Sequence, residues 1–544
     1  MLDESVVLGR SFSTAQAHSS TVDSFSFWVD SNTDFKMLEP GTVIAVQEED
    51  DVCFASVSEV RENMDYSSPL EAFASHNFGD ACYESKTSRF VCQVVVAKIL
   101  RWKSGAVKPV SGERVVHPAD VDGVRFAFGI VDGVPAGFST TPAGRINNQS
   151  CLVRLPDQYL FGMEAQGINI GGQTGYAKTN LALNIALCAL KEFDDLCVVG
   201  VNVKGEDLLW LDTLNPDLTS DDLILWKGFG FTGLDWLNFV LFAPAGISLR
   251  KDGFARDFKI SWSDVKYDLN LIFSESRDDE NARNLVSHLS SISFITSFEE
   301  AVVKLEEWVV LAENGDKVPG NHHLSTIQKV LRRLGSLSNK RFVNRNFRKS
   351  SFPDLLSIIK PKSFVVFDLN DALMTSTAQK IIFQKLLQQL KWGLESKNLQ
   401  EKTGVKRVVV FVDELSKYAH RSLGSDSFLA GVKSGVKNIA ERGRFAGLSL
   451  LGVEQYPSQI DDSILENMST RFFTRLKSKE LSNEIYKYYA KDFLKSVPRL
   501  DKGVALLDHD TFPESLFIKF PRTLCATSKP VKKKDVKNLV IGVG

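Results

Sequence analysis

The sequence predicts an α/β protein with a mostly parallel sheet, preceded by a small antiparallel β unit and interrupted by a helical insertion. Three observations predict this class. From about Asn169, buried strand-like runs alternate with helical patterns, as in a parallel sheet covered on both faces. Residues 1–150 instead contain short runs in which polar and apolar residues alternate, as in antiparallel strands. About residues 209–360 are mostly helical in pattern, although strand-like runs precede and follow them.

The composition sets few limits on function. A chain of 544 residues is too long for one core, so two or three domains are expected. The net charge of −2 gives no overall basic field and neither supports nor excludes nucleic-acid binding. Seven scattered cysteines without a C-x-x-C pair predict reduced, mostly buried thiols. No signal-peptide pattern and no apolar run near the roughly 20 residues of a membrane span occur, so a soluble, cytoplasmic protein without membrane contact is expected.

The first domain, with its linker, is predicted over residues 1–150 and is expected to form a small barrel or sandwich. Its strand-like runs are Ser24–Val29, Gly41–Val46, Val52–Val57, Phe90–Trp102 and Arg125–Val131. Residues 61–88 are polar and irregular, and residues 120–143 carry many glycines and prolines around their one strand. Both stretches are interpreted as excursions or linkers.

The second domain is predicted over residues 151–524 and contains the insertion at about 209–360. After the strand that begins near Ile168, its strands are predicted at Leu196–Val203, Phe239–Ala243, Ser363–Asp368, Arg407–Glu414, Leu448–Val453, Arg471–Leu476, Val504–Leu507 and Leu516–Phe520. Residues 525–544 form a basic tail, which is either solvated or docked on a neighbouring subunit or on DNA.

A glycine-rich loop is the first motif that carries chemistry. The run I-N-I-G-G-Q-T-G-Y-A-K-T at Ile168–Thr179 joins a strand to an alanine-rich helix and fits G-x-x-x-x-G-K-S/T, except that Ala177 replaces the last glycine. In such a loop, backbone N–H groups hold phosphate oxygens, Lys178 reaches the β and γ phosphates, and Thr179 places its hydroxyl on Mg²⁺. An ordinary strand-to-helix turn is the alternative. The predicted nucleotide-binding residues are Gly172, Gln173, Thr174, Gly175, Tyr176, Ala177, Lys178, Thr179 and Asn180.

Two acidic residues follow the buried run Val408–Val412. Ligand sites in open α/β sheets lie at the carboxyl ends of the strands. Asp413 is therefore predicted to bind Mg²⁺, and Glu414 to polarise the water that attacks the γ-phosphate. When found alone, adjacent acids after a strand are often only the start of a solvated loop.

A glutamine and two arginines complete the predicted catalytic set. Gln455 follows the strand Leu448–Val453, which is expected to neighbour the acidic strand, and its amide could sense the γ-phosphate or orient the water. Arg442 and Arg444 end the preceding helix, where a cation also suits the helix dipole. Either arginine could instead enter a neighbouring subunit's nucleotide site as an arginine finger, and Arg444 is favoured for that role.

These motifs together resemble the HerA family of hexameric DNA-translocating ATPases, in the HerA–FtsK branch of P-loop NTPases. The resemblance rests on G-G-Q-T-G-Y-A-K-T, V-N-V-K-G-E-D, V-V-V-F-V-D-E-L, and E-R-G-R-F-A-G-L-S-L-L-G-V-E-Q-Y-P-S followed by I-L-E-N. The last block is the most specific, because it looks like the family's E-G-R-x-x-G helix end, strand and Q-R-P-S turn. Ala177 and Tyr456 depart from the glycine and arginine that the family usually has.

The resemblance implies a RecA-like P-loop ATPase core behind a small N-terminal β-barrel, with ATP and Mg²⁺ as cofactors. It implies a homo-hexamer around double-stranded DNA, with a nuclease or sirtuin-like effector on the barrel face, in DNA-end processing or antiviral defence. Two functions stay open: a DNA translocase or helicase, and a nucleotide-gated hexameric scaffold that regulates an effector enzyme. Basic residues that could line a pore, or be solvated surface charges, are Lys204, Lys417, Arg421, Lys433 and Lys437.

Overall fold

The computed structural model describes most of the chain, and its described residues form two compact units. The barrel unit comprises Met1–Asp132, Ala136–Arg154 and Phe473–Phe520, and the sheet unit comprises Gly133–Pro135, Leu155–Phe472 and the described residues from Pro521. The segment Phe473–Phe520, which the sequence assigns to the second domain, thus belongs to the barrel unit. The described residues are 1–14, 19–66, 68–83, 90–145, 150–161, 167–269, 280–346, 351–370, 372, 374–422, 430–487, 489 and 491–530.

The strands and helices are numbered here in chain order. The strands are β1 Gly9–Phe12, β2 Ser24–Val29, β3 Val43–Glu48, β4 Asp51–Met64, β5 Val91–Trp102, β6 Val115–Pro118, β7 Val134–Ser139, β8 Leu152–Leu155, β9 Ile168–Gly171, β10 Leu196–Asn202, β11 Trp210–Leu214, β12 Asn238–Pro244, β13 Arg256–Phe258, β14 Ser363–Asp368, β15 Arg407–Asp413, β16 Leu448–Glu454, β17 Thr470–Phe473, β18 Val504–His509, β19 Leu516–Lys519 and β20 Cys525–Ala526. The helices are α1 Pro69–Ser75, α2 Val121–Phe128, α3 Asp157–Leu160, α4 Lys178–Glu192, α5 Ser220–Gly228, α6 Trp262–Val265, α7 Glu280–Ser291, α8 Phe298–Glu313, α9 Leu324–Ser338, α10 Leu355–Ile358, α11 Ser376–Glu395, α12 Asn398–Thr403, α13 Ser416–Ala419, α14 Ala430–Ala446, α15 Asp462–Leu465, α16 Ser478–Leu481 and α17 Lys491–Ser496.

The barrel unit contains a closed barrel in the order β1-β2-β5-β4-β3-β6. The neighbouring strands pair antiparallel, and their inward apolar residues, among them Phe25, Phe27, Ile44 and Val95, form one buried cluster. Alternation of polar and apolar residues produces this arrangement, because one strand face meets the core and the other meets solvent. The predicted small β-barrel is therefore confirmed.

The strand predicted at Arg125–Val131 is wrong, because this stretch lies largely in helix α2. The Asp120 side chain accepts a hydrogen bond from the Gly123 N–H and caps the start of the helix. Gly129, at φ 67°, ends it in the left-handed conformation. Val124, Ala127 and Phe128 then fall on one buried face at helical spacing. Both caps are local signals that outweigh the apolar run.

The sheet unit is built on strands in the order β13-β12-β14-β10-β15-β16-β9-β17. The pairs from β13 to β9 are parallel. Every residue of β9, β10, β14 and β16 is buried, as expected for strands covered on both faces. β16 lies between the glycine-loop strand β9 and the acidic strand β15, and its place beside the acidic strand is as predicted. The mostly parallel α/β class is confirmed.

The region predicted as a helical insertion also supplies strands to the sheet. The strand expected at Phe239–Ala243 is β12, which pairs in parallel with β14, and β13 pairs in turn with β12. Helices α7, α8 and α9 pack against one another, and α8 starts with a capping box in which Ser297 and Glu300 bond each other's backbone. Helices α7, α8 and α9 therefore come after strands β12 and β13 in the chain, and the region contains both sheet strands and helices.

Three smaller expectations concern the cysteines, the tail and the membrane. All seven cysteines are free thiols and five are buried, as predicted. The first tail residues, Cys525–Ala526, pair antiparallel with β11, while Lys532, Lys533, Lys534 and Lys537 lie outside the described residues. Within the described chain, no helix combines the length and apolarity that crossing a bilayer requires.

Candidate functional site

Apart from two arginines, the predicted site residues lie at or just after strand ends that meet at one edge of the parallel sheet. In the register of the sheet, Gly171 lies opposite Glu454, and Val453 lies opposite Asp413. β10 runs beside β15, so the turn after Asn202 lies at the same edge. The sheet thereby brings together the glycine loop, the two acidic residues and the glutamine turn, although they are far apart in sequence.

The glycine loop is attached to the neighbouring strand at its start. The N–H of Gly172 donates to the carbonyl of Glu454 at 3.1 Å, and the N–H of Tyr176 donates to the carbonyl of Gln173 at 3.3 Å. Gly175 has φ 86°, and a Cβ added there would meet no atom within 4 Å. Glycine is therefore needed at 175 for its dihedral, whereas the space around it would admit a side chain or a ligand.

Helix α4 begins at this loop without a side-chain cap. The first N–H groups of a helix have no intrahelical acceptor, and the first such bond here runs from Leu181 to the carbonyl of Ala177 at 3.0 Å. The N–H groups of Lys178 and Thr179 thus point out of an uncapped, 15-residue helix. A helix start of this kind binds anions through its N–H groups and its dipole.

Asn180 belongs to the first turn of α4, but its side chain is directed elsewhere. Its Nδ2 donates to the carbonyl of Pro521 at 2.8 Å, and its Oδ1 accepts from the N–H of Thr523. Asn184, one turn further, also donates to Pro521, at 2.7 Å. Asn180 is among the residues predicted to bind nucleotide, but its side-chain amide is hydrogen-bonded to Pro521 and Thr523. It therefore contributes its backbone, and not its side chain, to the loop.

Ala177 has the left-handed conformation that the motif's usual glycine would adopt freely. Its φ and ψ are 62° and 27°. For a residue with a Cβ this conformation costs about 1 kcal/mol or more, because the Cβ crowds the following carbonyl oxygen. Ala177 therefore adopts the left-handed conformation that the motif would give a glycine, at a cost in stability.

Replacing Ala177 by glycine is expected to stabilise the sheet unit by about 1 kcal/mol, since the strain is removed. Urea unfolding would show this as a higher midpoint. Ala186→Gly is the matched control, because this buried residue lies inside α4, where glycine costs about 1 kcal/mol. A midpoint that falls in both variants would contradict the strain at position 177.

Lys178 sits among opposing charges at the centre of this edge. Its Nζ donates to the carbonyl of Gln173 at 3.0 Å. Burial lowers the pKa of Lys178, while the carboxylates of Asp413 and Glu454 act in the opposite direction. The ammonium group is thus partly desolvated, which strengthens its interaction with an anion placed in the loop.

Asp413 ends β15 with a buried carboxyl group, only 8% exposed as a residue. Burial raises the pKa of Asp413 to about 7, and the nearby charges of Asp207 and Glu414 add to this effect. The Asp207 carboxyl has its own pKa raised by burial. A buried carboxylate with acidic neighbours is relieved by a cation, so this position suits a divalent metal ion.

Glu414 follows in the left-handed conformation, at φ 57°. Its Oε1 lies 2.9 Å from the Nζ of Lys204, and its Oε2 lies 3.1 Å from the Nζ of Lys417. Although burial alone would raise it, the pKa of Glu414 is lowered by the hydrogen bonds from the two lysines. The carboxylate stays ionised and has both oxygens engaged.

Gln455 lies at the predicted place, directly after β16, and its Nε2 is 3.4 Å from the hydroxyl of Tyr456. The preceding Glu454, which sequence reasoning missed, is 3% exposed. Its carboxylate accepts the N–H groups of Ser416 at 2.6 Å and of Gln455 at 2.7 Å. Glu454 therefore links the end of β16 to Ser416, which follows the acidic pair in the chain. It also fixes the backbone position of Gln455.

Arg442 and Arg444 lie at the opposite edge of the sheet. Both belong to the last turns of α14, which leads into the amino end of β16. The seven residues of β16 span about 20 Å, so the structure does not bring either arginine to the loop of its own chain. A Cβ on Gly443 would lie 2.2 Å from the carbonyl oxygen of Leu448, so glycine permits this close approach of helix and strand.

The turn after β10 contains further residues that sequence reasoning did not assign to the nucleotide site. Asn202 donates to the Asp368 carboxylate at 2.9 Å and to the Gly205 carbonyl at 3.2 Å, and Asn370 donates to the same carbonyl at 3.1 Å. The turn carries Lys204 and Asp207 to the site. The V-N-V-K-G-E-D run was the signal that could have found them, because it follows a strand of the same sheet.

The five basic residues considered for a pore each have an acidic partner. Lys204 and Lys417 contact Glu414, Arg421 contacts Asp462, Lys433 contacts Asp461, and Lys437 lies 3.4 Å from Glu441. Their charges are partly compensated within the chain.

No protein-family model and no curated protein matches the sequence, but solved structures do. VirB4 of Thermoanaerobacter pseudethanolicus is 14% identical over 72% of this chain and 97% of that chain, with a TM-score of 0.44. The bacterial conjugative coupling protein TrwB, in a trigonal form with sulphate, is 12% identical over 74% and 98%, with a TM-score of 0.46. The genome packaging NTPase B204 from Sulfolobus turreted icosahedral virus 2, with ATP-gammaS, is 12% identical over 65% and 96%, with a TM-score of 0.29. These similarities are distant and carry no argument about function.

Proposed function

We propose that the carboxyl edge of the parallel sheet binds and hydrolyses ATP. One observation carries the proposal: the uncapped start of α4 and the desolvated ammonium of Lys178 lie at the same sheet edge as Asp413 and Glu414. The helix start and the lysine suit the phosphates of a nucleotide. The acidic pair would be repelled by phosphates unless it served a cation and a water molecule, which is what hydrolysis needs.

The described residues fit Mg²⁺ at this edge. Asp413 supplies a buried carboxylate, and Thr179 supplies a hydroxyl from the first turn of α4. No group of three or more His, Cys, Asp or Glu side chains in the described chain could hold a metal ion by itself. Asp413 and Thr179 would therefore share the ion with phosphate oxygens and water, as proteins usually bind Mg²⁺. When bound, the ion supplies neutralisation of the phosphate charge.

The chain's own side chains then have separate roles. Lys178 holds the phosphates by charge, and the loop N–H groups fix their direction. Glu414 accepts a proton from the attacking water once one of its oxygens is released from a lysine. Gln455, whose backbone N–H donates to the Glu454 carboxylate, orients the water or contacts the terminal phosphate.

We further propose that this ATPase is a ring-forming DNA translocase or helicase of the HerA type, a homo-hexamer that partners a nuclease or other effector. The motif blocks quoted above support this assignment. Native mass measurement would give about six times the 60.5 kDa of one chain. ATP turnover should rise with linear duplex DNA, and the stimulation should fall steeply with salt, because phosphate contacts release counterions. A rate indifferent to DNA at every salt concentration would overturn translocation.

Arg444 is expected to complete the site of a neighbouring subunit. Because it lies about 20 Å from the loop of its own chain along β16, Arg444→Ala should lower turnover by about 10³-fold or more through the neighbour. Mixing Arg444→Ala with Lys178→Ala should restore part of the activity, since some interfaces then hold an intact lysine and an intact arginine. Arg442→Ala tests the other candidate arginine, and it should change turnover little if Arg444 is the finger. Failure of the mixture to recover activity would identify Arg444 as a helix cap.

A nucleotide-gated scaffold is the second candidate, and two observations favour it. Ala177 strains the loop, and Glu414 has both oxygens engaged by lysines. Either feature lowers turnover without preventing binding. In a scaffold, an effector's activity would respond to bound nucleotide even in the Glu414→Gln variant, whereas a translocase would lose its effect with hydrolysis.

A further inference from the structure

Glu414 is held by lysines from two different parts of the chain. Lys417 lies three residues further, at the start of α13, and contacts Oε2 at 3.1 Å. Lys204 comes from the turn after β10 and donates to Oε1 at 2.9 Å. Parallel pairing of β10 with β15 brings these positions together across the sheet edge. Each carboxylate oxygen therefore has its own ammonium group.

Hydrogen bonds from buried side chains fix the turn that carries Lys204. The carbonyl of Gly205, the next residue, accepts hydrogen bonds from the buried Asn202 and the buried Asn370. Gly205 itself has φ 61°, which suits glycine. Two fully buried amides thus fix the backbone next to Lys204, and the start of its side chain is aimed at Glu414.

Lys204 also lies on the side of the phosphate loop. It is close enough to Lys178 that its charge contributes to lowering the pKa of that residue. Its side chain is 57% exposed, whereas those of Glu414 and Lys417 are 27% and 28% exposed. Of the two lysines that hold Glu414, Lys204 is therefore the one that an incoming anion reaches.

We propose that Lys204 is a positioning residue that passes from Glu414 to a phosphate group arriving at this edge, and thereby releases one oxygen of Glu414. The inference rests on the proposed function. A terminal phosphate with more than one negative charge, or the closely spaced single charges of a nucleic-acid backbone, attracts the ammonium more strongly than a lone carboxylate does. Lys417 keeps Oε2 and so preserves the direction of the side chain, while Oε1 becomes available to a water molecule.

The phosphate has two sources, the terminal phosphate of a nucleotide in the glycine loop and the backbone of a nucleic acid. If the nucleic acid supplies it, Lys204→Ala should raise DNA-free hydrolysis about tenfold, because Oε1 is no longer held. Stimulation by duplex DNA should then fall towards onefold, and the slope of log affinity against log salt should shrink by about 0.9. If the nucleotide supplies it, the variant should lose about tenfold in its preference for ATP over ADP in equilibrium binding, with DNA stimulation unchanged.

Lys204→Arg and Lys391→Ala make the test specific. The arginine keeps a cation and should retain wild-type behaviour, and Lys391 is a surface lysine of α11 paired with Glu395. The proposal is overturned if Lys204→Ala matches Lys391→Ala in hydrolysis, salt slope and ATP preference. It is also overturned if hydrolysis with and without DNA falls in parallel, as a structural role would cause. A wild-type chain that binds no nucleotide would instead remove the proposed function and this inference with it.

Discussion

The Glu414→Gln variant is expected to bind ATP about as tightly as the wild type and to hydrolyse it about 10²–10⁴-fold more slowly. Glutamine keeps the size of the side chain and can still orient water, but it cannot accept a proton. The amide also loses the ion pairs with Lys204 and Lys417. Single-turnover hydrolysis and equilibrium binding of a fluorescent ATP analogue would separate the two effects.

Glu395→Gln is the matched control for this change, because Glu395 is an exposed glutamate whose lysine partner is 3.9 Å away. It should leave both measurements unchanged. Hydrolysis at the wild-type rate in Glu414→Gln would remove Glu414 from the role of general base, and would direct attention to Asp207 or Glu454 at the same edge.

The Lys178→Ala variant is expected to lose at least about 100-fold in nucleotide affinity, and turnover with it. A partly desolvated ammonium that pairs with phosphates contributes more than a surface charge, and its removal also takes a nearby positive charge from Asp413 and Glu454. Titration with the same fluorescent analogue would measure the loss.

Thermal unfolding must accompany that titration, because Lys178 also bonds the loop through the carbonyl of Gln173. We expect Lys178→Ala to lower the unfolding temperature only slightly, because the strands and α4 are buried independently of this lysine. Lys391→Ala controls for the loss of a lysine elsewhere. Wild-type affinity in a folded Lys178→Ala chain would refute the phosphate loop.

Much of the fold could be predicted from sequence because buried parallel strands have a simple pattern. β10, β14, β15 and β16 are buried runs of mostly apolar residues, and each lies where the pattern placed it. The error at Arg125–Val131 shows the limit, because the caps at Asp120 and Gly129 decide the structure there and not the apolar run. Domain membership of Phe473–Phe520 depends on long-range packing, which periodicity does not contain.

The site could be predicted only for residues whose position follows from the strand next to them in sequence. Asp413 ends its strand, and the loop and Glu414 follow theirs directly, so their positions follow from the strands. Lys204 is 210 residues from Glu414, and only the pairing of β10 with β15 shows that they meet. Glu454 could not be distinguished from Gln455 without knowing which of the two side chains is buried.

Ala177 gains a different meaning once its backbone is known. In sequence it is a deviation from the motif, whereas at φ 62° it is an alanine in the conformation that the motif's glycine would have. The loop shape is kept and a strain is added. The alanine therefore bears on how tightly and how fast the site works, and not on whether the loop forms.

Calorimetric titration of the wild-type chain with a non-hydrolysable ATP analogue and Mg²⁺ tests the central claim most directly. We expect saturable binding with one nucleotide per chain, weakened when Mg²⁺ is withdrawn and lost in Lys178→Ala. No heat of binding at millimolar nucleotide, or binding that Lys178→Ala leaves intact, would contradict the assignment of this sheet edge as a nucleotide site.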